Sequence, residues 1–452
     1  KTRYDIQSRL LAHIRKKRAA SPRRGEVLQM RTRQIFVSGF ALFAMFFGAG
    51  NLIFPPFLGK SGGEDWVIGF LCFFLVEVLS CVGIYAAIHG GGSVQAMNKS
   101  VGAKPGVILN TAAILCTGVF IAPPRTAATT YEMAVRPLFD GLGLLPFSIL
   151  FFVVVVLLTI RPSRLVDIIG KCLTPVLITG ILILIVVGIA NPIGPIGPAA
   201  SPNIAQEGLL AGYQAMDILS VAGFAIIIQD SMVQSGLKTW KEQRPQVAGS
   251  TGVAALLLAV VYGGLTFLGA TTSTAFGSGL DRAALIVAIT QELLGQAGVV
   301  ILAIVVTLAC LTTAIGLFGA TASYFEEMTK GRLSYRAGIF LLAVIGCAIC
   351  NLGLSTIISA ASPVLSVICP PFMTTVVLLA FQNWISRAGL YKGAALGATL
   401  TALVLTFHDY LDLFPLVERL PFYDYGFGWL IPAAVGGVIG ALLSKPVGKD
   451  AP

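Results

Sequence analysis

Two carboxylates, one arginine, one amide and a pair of threonines stand inside stretches that are otherwise apolar. Asn51 lies in GFALFAMFFGAGNLIFPPFLG (39–59), Asp217 closes GLLAGYQAMD (208–217), and Thr312–Thr313 end LACLTT (308–313). Glu77 sits in a run of Phe, Leu and Val, and Arg125 follows Ala122-Pro123-Pro124. A charge at such depth is costly and usually faces a packed interior or a cavity. The chemistry open to these groups is binding. Free backbone amides at Gly48 and Gly50, beside the Asn51 amide, can hold a carboxylate. Two hydroxyls with backbone carbonyls suit a hard cation such as sodium. Asp217, or carbonyls near Met216 to Ser220, can meet an ammonium. No P-loop, no HExxH and no nucleophile set is present, so no enzyme is expected.

The elements that must hold these groups are broken helices. Gly48-Ala49-Gly50-Asn51 and Pro55-Pro56 interrupt the first apolar stretch, since glycine weakens a helix and proline lacks the amide. A break at membrane depth survives only where it is buried in protein or lines a cavity. The stretch 208–217, with Ser220 and Gly223 beyond, is a second polar, glycine-bearing interruption.

Composition sets the surroundings. The 452 residues are 56% hydrophobic and only 12% charged, about half the charged share of soluble domains. Apolar runs recur from 34 to 444 and are continuous rather than alternating, which argues for helices and against a barrel. The spacing predicts about twelve spans: 34–59, 65–89, 106–135, 143–160, 165–190, 208–235, 246–274, 296–328, 336–352, 355–385, 392–412 and 427–444. The net charge of +10 gathers in the tail (Arg15 to Arg33) and in alternate loops. That is the pattern of cytoplasmic flanks rather than of nucleic-acid binding. It puts both termini in the cytoplasm. Residues 1–33 then form a basic, partly disordered tail with 1–29 outside the functional core, 34–444 the transporter domain, and 445–452 a second tail.

The two interruptions lie five spans apart. A unit with an odd number of crossings must have an inverted copy, so 34–190 and 208–385 are expected as inverted halves, with 392–444 appended. Arg125 and Glu132, seven residues apart on one helical face, suggest a gate or a structural ion pair, and Glu77 has a similar choice of roles. Cys347-Ala348-Ile349-Cys350 and the other cysteines lie in apolar stretches and are expected as helix filler.

GFALFAMFFGAGNLIFPPFLG, PRTAATTYE (124–132), GYQAMD (212–217), CLTTAIGLF (310–318) and SPVLSVICPPF (362–372) resemble the bacterial branched-chain amino acid:cation symporter family. The resemblance covers about 34–444. It implies the leucine-transporter-like five-plus-five fold of the amino acid–polyamine–organocation superfamily, in the bacterial inner membrane. It implies import of leucine, isoleucine and valine with sodium or a proton as coupling ion, and no cofactor or obligate protein partner. The substrate carboxylate would lie near Ala49, Gly50 and Asn51, and its ammonium near Met216, Asp217, Ile218 and Ser220. Sodium would meet carbonyls of Ala44, Phe47 and Ala309 and the hydroxyls of Thr312 and Thr313. Carriage of another neutral amino acid, as transporter or exchanger, or amino-acid sensing without transport, are the alternatives.

Overall fold

Apolar stretches of this length fold as helices, because a helix satisfies every backbone amide and carbonyl within one segment. The structure, a computed structural model, describes residues 24–90, 102–139, 141–160, 174–277, 279–385 and 387–444. Among them there is no β-strand. In chain order the helices are α1 (Arg24–Phe46), α2 (Ala49–Gly62), α3 (Trp66–His89), α4 (Ala103–Leu115), α5 (Ala122–Thr130), α6 (Leu144–Thr159), α7 (Thr174–Ala190) and α8 (Ile204–Ala215). Then follow α9 (Asp217–Gln234), α10 (Trp240–Ala270), α11 (Arg282–Met328), α12 (Tyr335–Cys350), α13 (Leu354–Ala380), α14 (Ala388–Leu411) and α15 (Leu430–Leu443). Every predicted span overlaps a helix. Among the described residues, seven helical stretches are long and apolar enough to cross a membrane, and shorter apolar helices of 10–17 residues accompany them. Their outer faces suit lipid: Leu157, Val186, Leu256, Val344 and Leu442 are 66%, 63%, 66%, 69% and 74% exposed. The basic turn at 161–164, Lys99, Cys172 and the tails 1–23 and 445–452 lie outside the described residues. Residues 24–33, expected in the tail, continue α1 as helix.

The first break is narrower than the glycines and prolines predict. The chain leaves the helix only at Phe47 and Gly48, and Gly48 is extended (φ −114°, ψ −164°) with no side-chain cap on α2. Pro55 and Pro56 lie inside α2. Proline already holds the helical φ, so the chain can continue. The cost is that the carbonyls of Asn51 and Leu52, four residues earlier, lack their helical donors.

The second break is a single residue. Met216 is left-handed (φ 67°, ψ 10°) between the end of α8 and the start of α9. Gly208 and Gly212 belong to packing instead. A Cβ on Gly212 would come 2.7 Å from the Val76 Cβ, and one on Gly208 would meet the Gly69 carbonyl. Their absent side chains let α8 lie on α3. Residues 282–294, outside every predicted span, are helical too; a kink at Gly295 (φ 61°) separates them from the rest of α11.

α10 is the central post and packs on α1, α2 and α3. A Cβ on Gly59 would run into the Thr266 carbonyl, and one on Gly269 into the Pro56 carbonyl, so α2 and α10 touch backbone to backbone. The start of α10 is fixed by a capping box, in which Glu242 accepts from the Lys238 and Thr239 amides at 3.1 Å each. Thr239→Ala should cost about 1 kcal/mol. A thermal midpoint equal to wild type in detergent would show that this cap does not stabilise the domain. At the C-terminal end α14 and α15 pack closely through Gly389, Gly393, Gly436 and Gly440. The connection between them rests on α8: Trp429 Nε1 donates to Tyr213 OH at 3.0 Å, and Asn203 Nδ2 donates to the Asp424 carbonyl.

Candidate functional site

Both breaks open onto one small cavity between α1–α2, α5, α8–α9 and α11. It is lined by Gly48, Ala49, Gly50 and Asn51, by Met216, Asp217 and Ser220, by Arg125 and Thr126, and by Thr313. Met45, Phe46, Phe224 and Leu317 supply its apolar wall. Its volume is only about 20 Å³, room for about one water. The start of α2 leaves its first amides without helical acceptors, and the end of α8 leaves its last carbonyls without helical donors. Donor and acceptor ends of two half-helices therefore face one space, with opposite partial charges.

Beside the cavity is a buried polar cluster. Asn51 Nδ2 donates to Asp217 Oδ2 at 2.8 Å, to Tyr262 OH, and to Glu77 Oε2 at 3.4 Å. One amide thus ties α2 to α9, α10 and α3. Asn51, Glu77, Asp217 and Tyr262 are 1%, 0%, 6% and 0% exposed. Glu77 Oε1 is buried with no hydrogen-bond partner. Two carboxyl groups sharing one amide donor make a polar centre that water does not reach.

Arg125 supplies the opposite charge. It is 3% exposed, its Nη1 donates to the Gln214 carbonyl at the end of α8, and its Nε has no partner. A Cβ on Gly50 would stand 2.9 Å from Arg125 Nη2 and 3.3 Å from Ala215 Cα, so glycine is what lets the guanidinium and α8 approach this turn. Arg125 and Glu132 do not pair. Glu132 binds Arg136 at 2.8 Å on the exposed side. The segment from Tyr131 to Val135 is a π-turn, whose larger turn rotates Glu132 off the face that the α-helical spacing predicts.

The two threonines behave differently. Thr312 Oγ1 donates to the Ala309 carbonyl of its own helix at 2.9 Å. Thr313 Oγ1 is buried without a partner, and a Cβ on Gly48 would lie 3.3 Å from it. The end of α1, with Ala44 in its last turn, leaves its last carbonyls without helical donors. Ala44, Phe47 and Ala309 are core residues rather than cavity wall, as is Ile218, while Ser220 Oγ points back to the Met216 carbonyl at 3.4 Å.

Tyr262 and Gln214 are the members of the candidate site's polar surroundings that the pattern did not single out. A tyrosine within Val-Val-Tyr-Gly-Gly reads as apolar filler, and only its hydroxyl gives a hint. Gln214 acts through its backbone carbonyl, which has no sequence signal.

A family profile described as "Branched-chain amino acid transport protein" matches residues 31–447. The branched-chain amino acid permease BrnQ of Bacillus subtilis (strain 168) is 33% identical over 426 residues, 91% of this chain and 96% of the relative. Among solved structures, the chain superposes on Mhp1, a nucleobase-cation-symport-1 family transporter in a closed conformation with bromovinylhydantoin bound. The TM-score is 0.62 at 15% identity, over 90% of this chain and 91% of that one. A Na+-coupled sialic acid symporter in a substrate-bound outward-open state gives a TM-score of 0.60 at 14% identity, over 91% and 90%. At these identities the likeness is one of fold.

Proposed function

The chain belongs to the branched-chain amino acid transport protein family, whose members are membrane permeases and not enzymes, and on that premise we propose that it imports leucine, isoleucine and valine with sodium by alternating access. The observation that carries this reading is the meeting of two helix breaks at one cavity with buried charges of both signs. Broken half-helices facing a midplane site are the mark of secondary transporters. The zwitterion's carboxylate meets the amides of Ala49, Gly50 and Asn51. Its ammonium meets Asp217, Ser220 and carbonyls around Met216 and Ile218, and the aliphatic side chain lies on Phe46, Phe224 and Leu317. Such a wall separates one methylene by only about 1–3 kcal/mol, so the three substrates overlap. At about 20 Å³ the cavity must widen to take any of them. Phe47–Gly48 and Met216 are the hinges where it can. The full architecture in this reading is twelve crossings with two inverted halves, both termini cytoplasmic, in the bacterial inner membrane.

Sodium is carried beside the substrate, at Thr313 Oγ1, Thr312 and the carbonyls of Ala44, Phe47 and Ala309. Support comes from the orphaned Thr313 hydroxyl against the open end of α1. A proton as coupling ion has one observation in its favour, the unpartnered oxygen of Glu77 beside Asp217. Reconstitution in liposomes separates the two. Accumulation of labelled leucine under an inward sodium gradient, blocked by isoleucine and valine, is the expected result. Accumulation under a proton gradient alone would move coupling to the Glu77–Asp217 pair. No uptake from folded protein would overturn the importer reading. Thr312→Ala with Thr313→Ala should raise the sodium concentration for half-maximal uptake by ~10-fold or more, the size of one or two lost ligand contacts. Unchanged sodium activation would remove this site from the mechanism.

A further inference from the structure

We propose that Arg125 is the residue that recognises the carboxylate of the transported amino acid. The inference rests on the transport reading above and adds a recognition residue to that same site.

A guanidinium carries five N–H donors and stays charged. Inside a membrane protein such a group is normally paired. Arg125 is 3% exposed and lines the cavity, yet among the described residues it has no ion-pair partner. Glu132, its neighbour by helical spacing, is taken by Arg136. One donor goes to the Gln214 carbonyl and Nε goes to nothing. Nη2 stands against the α2 turn at Gly50, where no side chain intervenes. The cation is thus held in place by one neutral acceptor and by the Phe54 ring, 5.9 Å from its guanidinium carbon, and most of its hydrogen-bonding capacity is left for something that is not protein.

The surroundings define that ligand. Amides at the start of α2 face the same space and favour an anion. Carboxylate oxygens match the planar fork of arginine in a way that a point cation does not reproduce. Asp217 lines the same cavity, so an anionic group at Arg125 and a cationic group at Asp217 lie within reach of one small molecule. An α-amino acid carries its two charges one carbon apart, which fits that juxtaposition. A free amine, an amide or an alcohol does not. In this assignment backbone amides orient the carboxylate, and Arg125 gives the site its requirement for a negative charge.

The other role the geometry allows is support: Arg125 fastens the end of α8 through Gln214. The two roles differ in one readout. Loss of support weakens every ligand alike, whereas loss of carboxylate recognition erases the preference for ligands that carry one. The experiment is competition against labelled leucine on the purified full-length protein, with leucinamide (no carboxylate) and 4-methylpentanoate (no ammonium). Wild type is expected to prefer leucine to leucinamide by ~10-fold or more, the size of a charge-assisted pair. In Arg125→Gln that ratio should fall to ~3-fold or less, while the ratio of leucine to 4-methylpentanoate stays as in wild type. Arg125→Lys should keep part of the preference, because it retains charge without the fork. It also serves if Arg125→Gln does not fold: a reduced leucine-to-leucinamide ratio in the lysine variant supports the assignment, and an undiminished one overturns it. If both ratios are unchanged in the variants while wild type binds leucine, Arg125 is a support only. If wild type binds no leucine, the transport reading fails first, and this assignment with it.

Discussion

Asn51→Leu is expected to lower leucine uptake by ~100-fold or more and to lower the unfolding temperature as well. The substitution keeps the volume and removes the amide. That amide serves Asp217, Tyr262 and Glu77, which stand on three different helices. Without it, two buried carboxyl groups lose the amide donor that lies between them. Removing one partner from a buried charged arrangement costs about 3–5 kcal/mol, which spans the expected loss. Tyr262→Phe should be milder, since it deletes one acceptor of the same amide and leaves both carboxylates served, at a cost of about 1 kcal/mol. Uptake by the Asn51→Leu protein within ~3-fold of wild type would separate the polar cluster from the transport site.

Gly59→Val and Gly269→Val are each expected to abolish folded protein. At both positions the obstacle is a carbonyl oxygen of the facing helix, Thr266 or Pro56, and not the end of a movable side chain. Overpacking a core that can adjust costs about 1–3 kcal/mol. Here α2 and α10 must separate along their length, and α10 also carries α1 and α3. Gly252→Ala is the matching control. That glycine lies in the same helix with nothing near its Cβ position, so the change should be neutral or stabilising. Size-exclusion profiles of the three detergent-extracted variants test this directly. A monodisperse Gly59→Val protein would mean that the two helices do not meet as described.

Both breaks announce themselves in the sequence because a broken helix in an apolar setting needs glycine, proline or an amide, and each is conspicuous there. Their exact extents do not. Pro55–Pro56 mimic a stop yet continue α2, and Gly208 and Gly212 mimic flexibility yet are there for close packing. Asn51, Asp217, Arg125 and Thr313 could be named from their polarity in apolar runs. Their grouping depends on contacts across long separations, such as Asn51 with Asp217, which periodicity along one helix does not encode. The spacing of Arg125 and Glu132 misleads for a local reason, the π-turn in which Glu132 lies, and nothing in Tyr131 to Val135 marks that turn in advance.

Met216 has a consequence for speed. A left-handed residue with a side chain costs on the order of 1–2 kcal/mol more than a right-handed one. Glycine would occupy that backbone freely, and this chain has methionine there instead. The hinge between α8 and α9 is therefore held under tension in the conformation described above, like a latch kept partly drawn. Rotation that carries Met216 back to ordinary backbone angles releases that tension, which offsets part of the cost of leaving this state. Members of a permease family must leave each of their states to be of use, and this chain has a small preload built into the joint beside its candidate site.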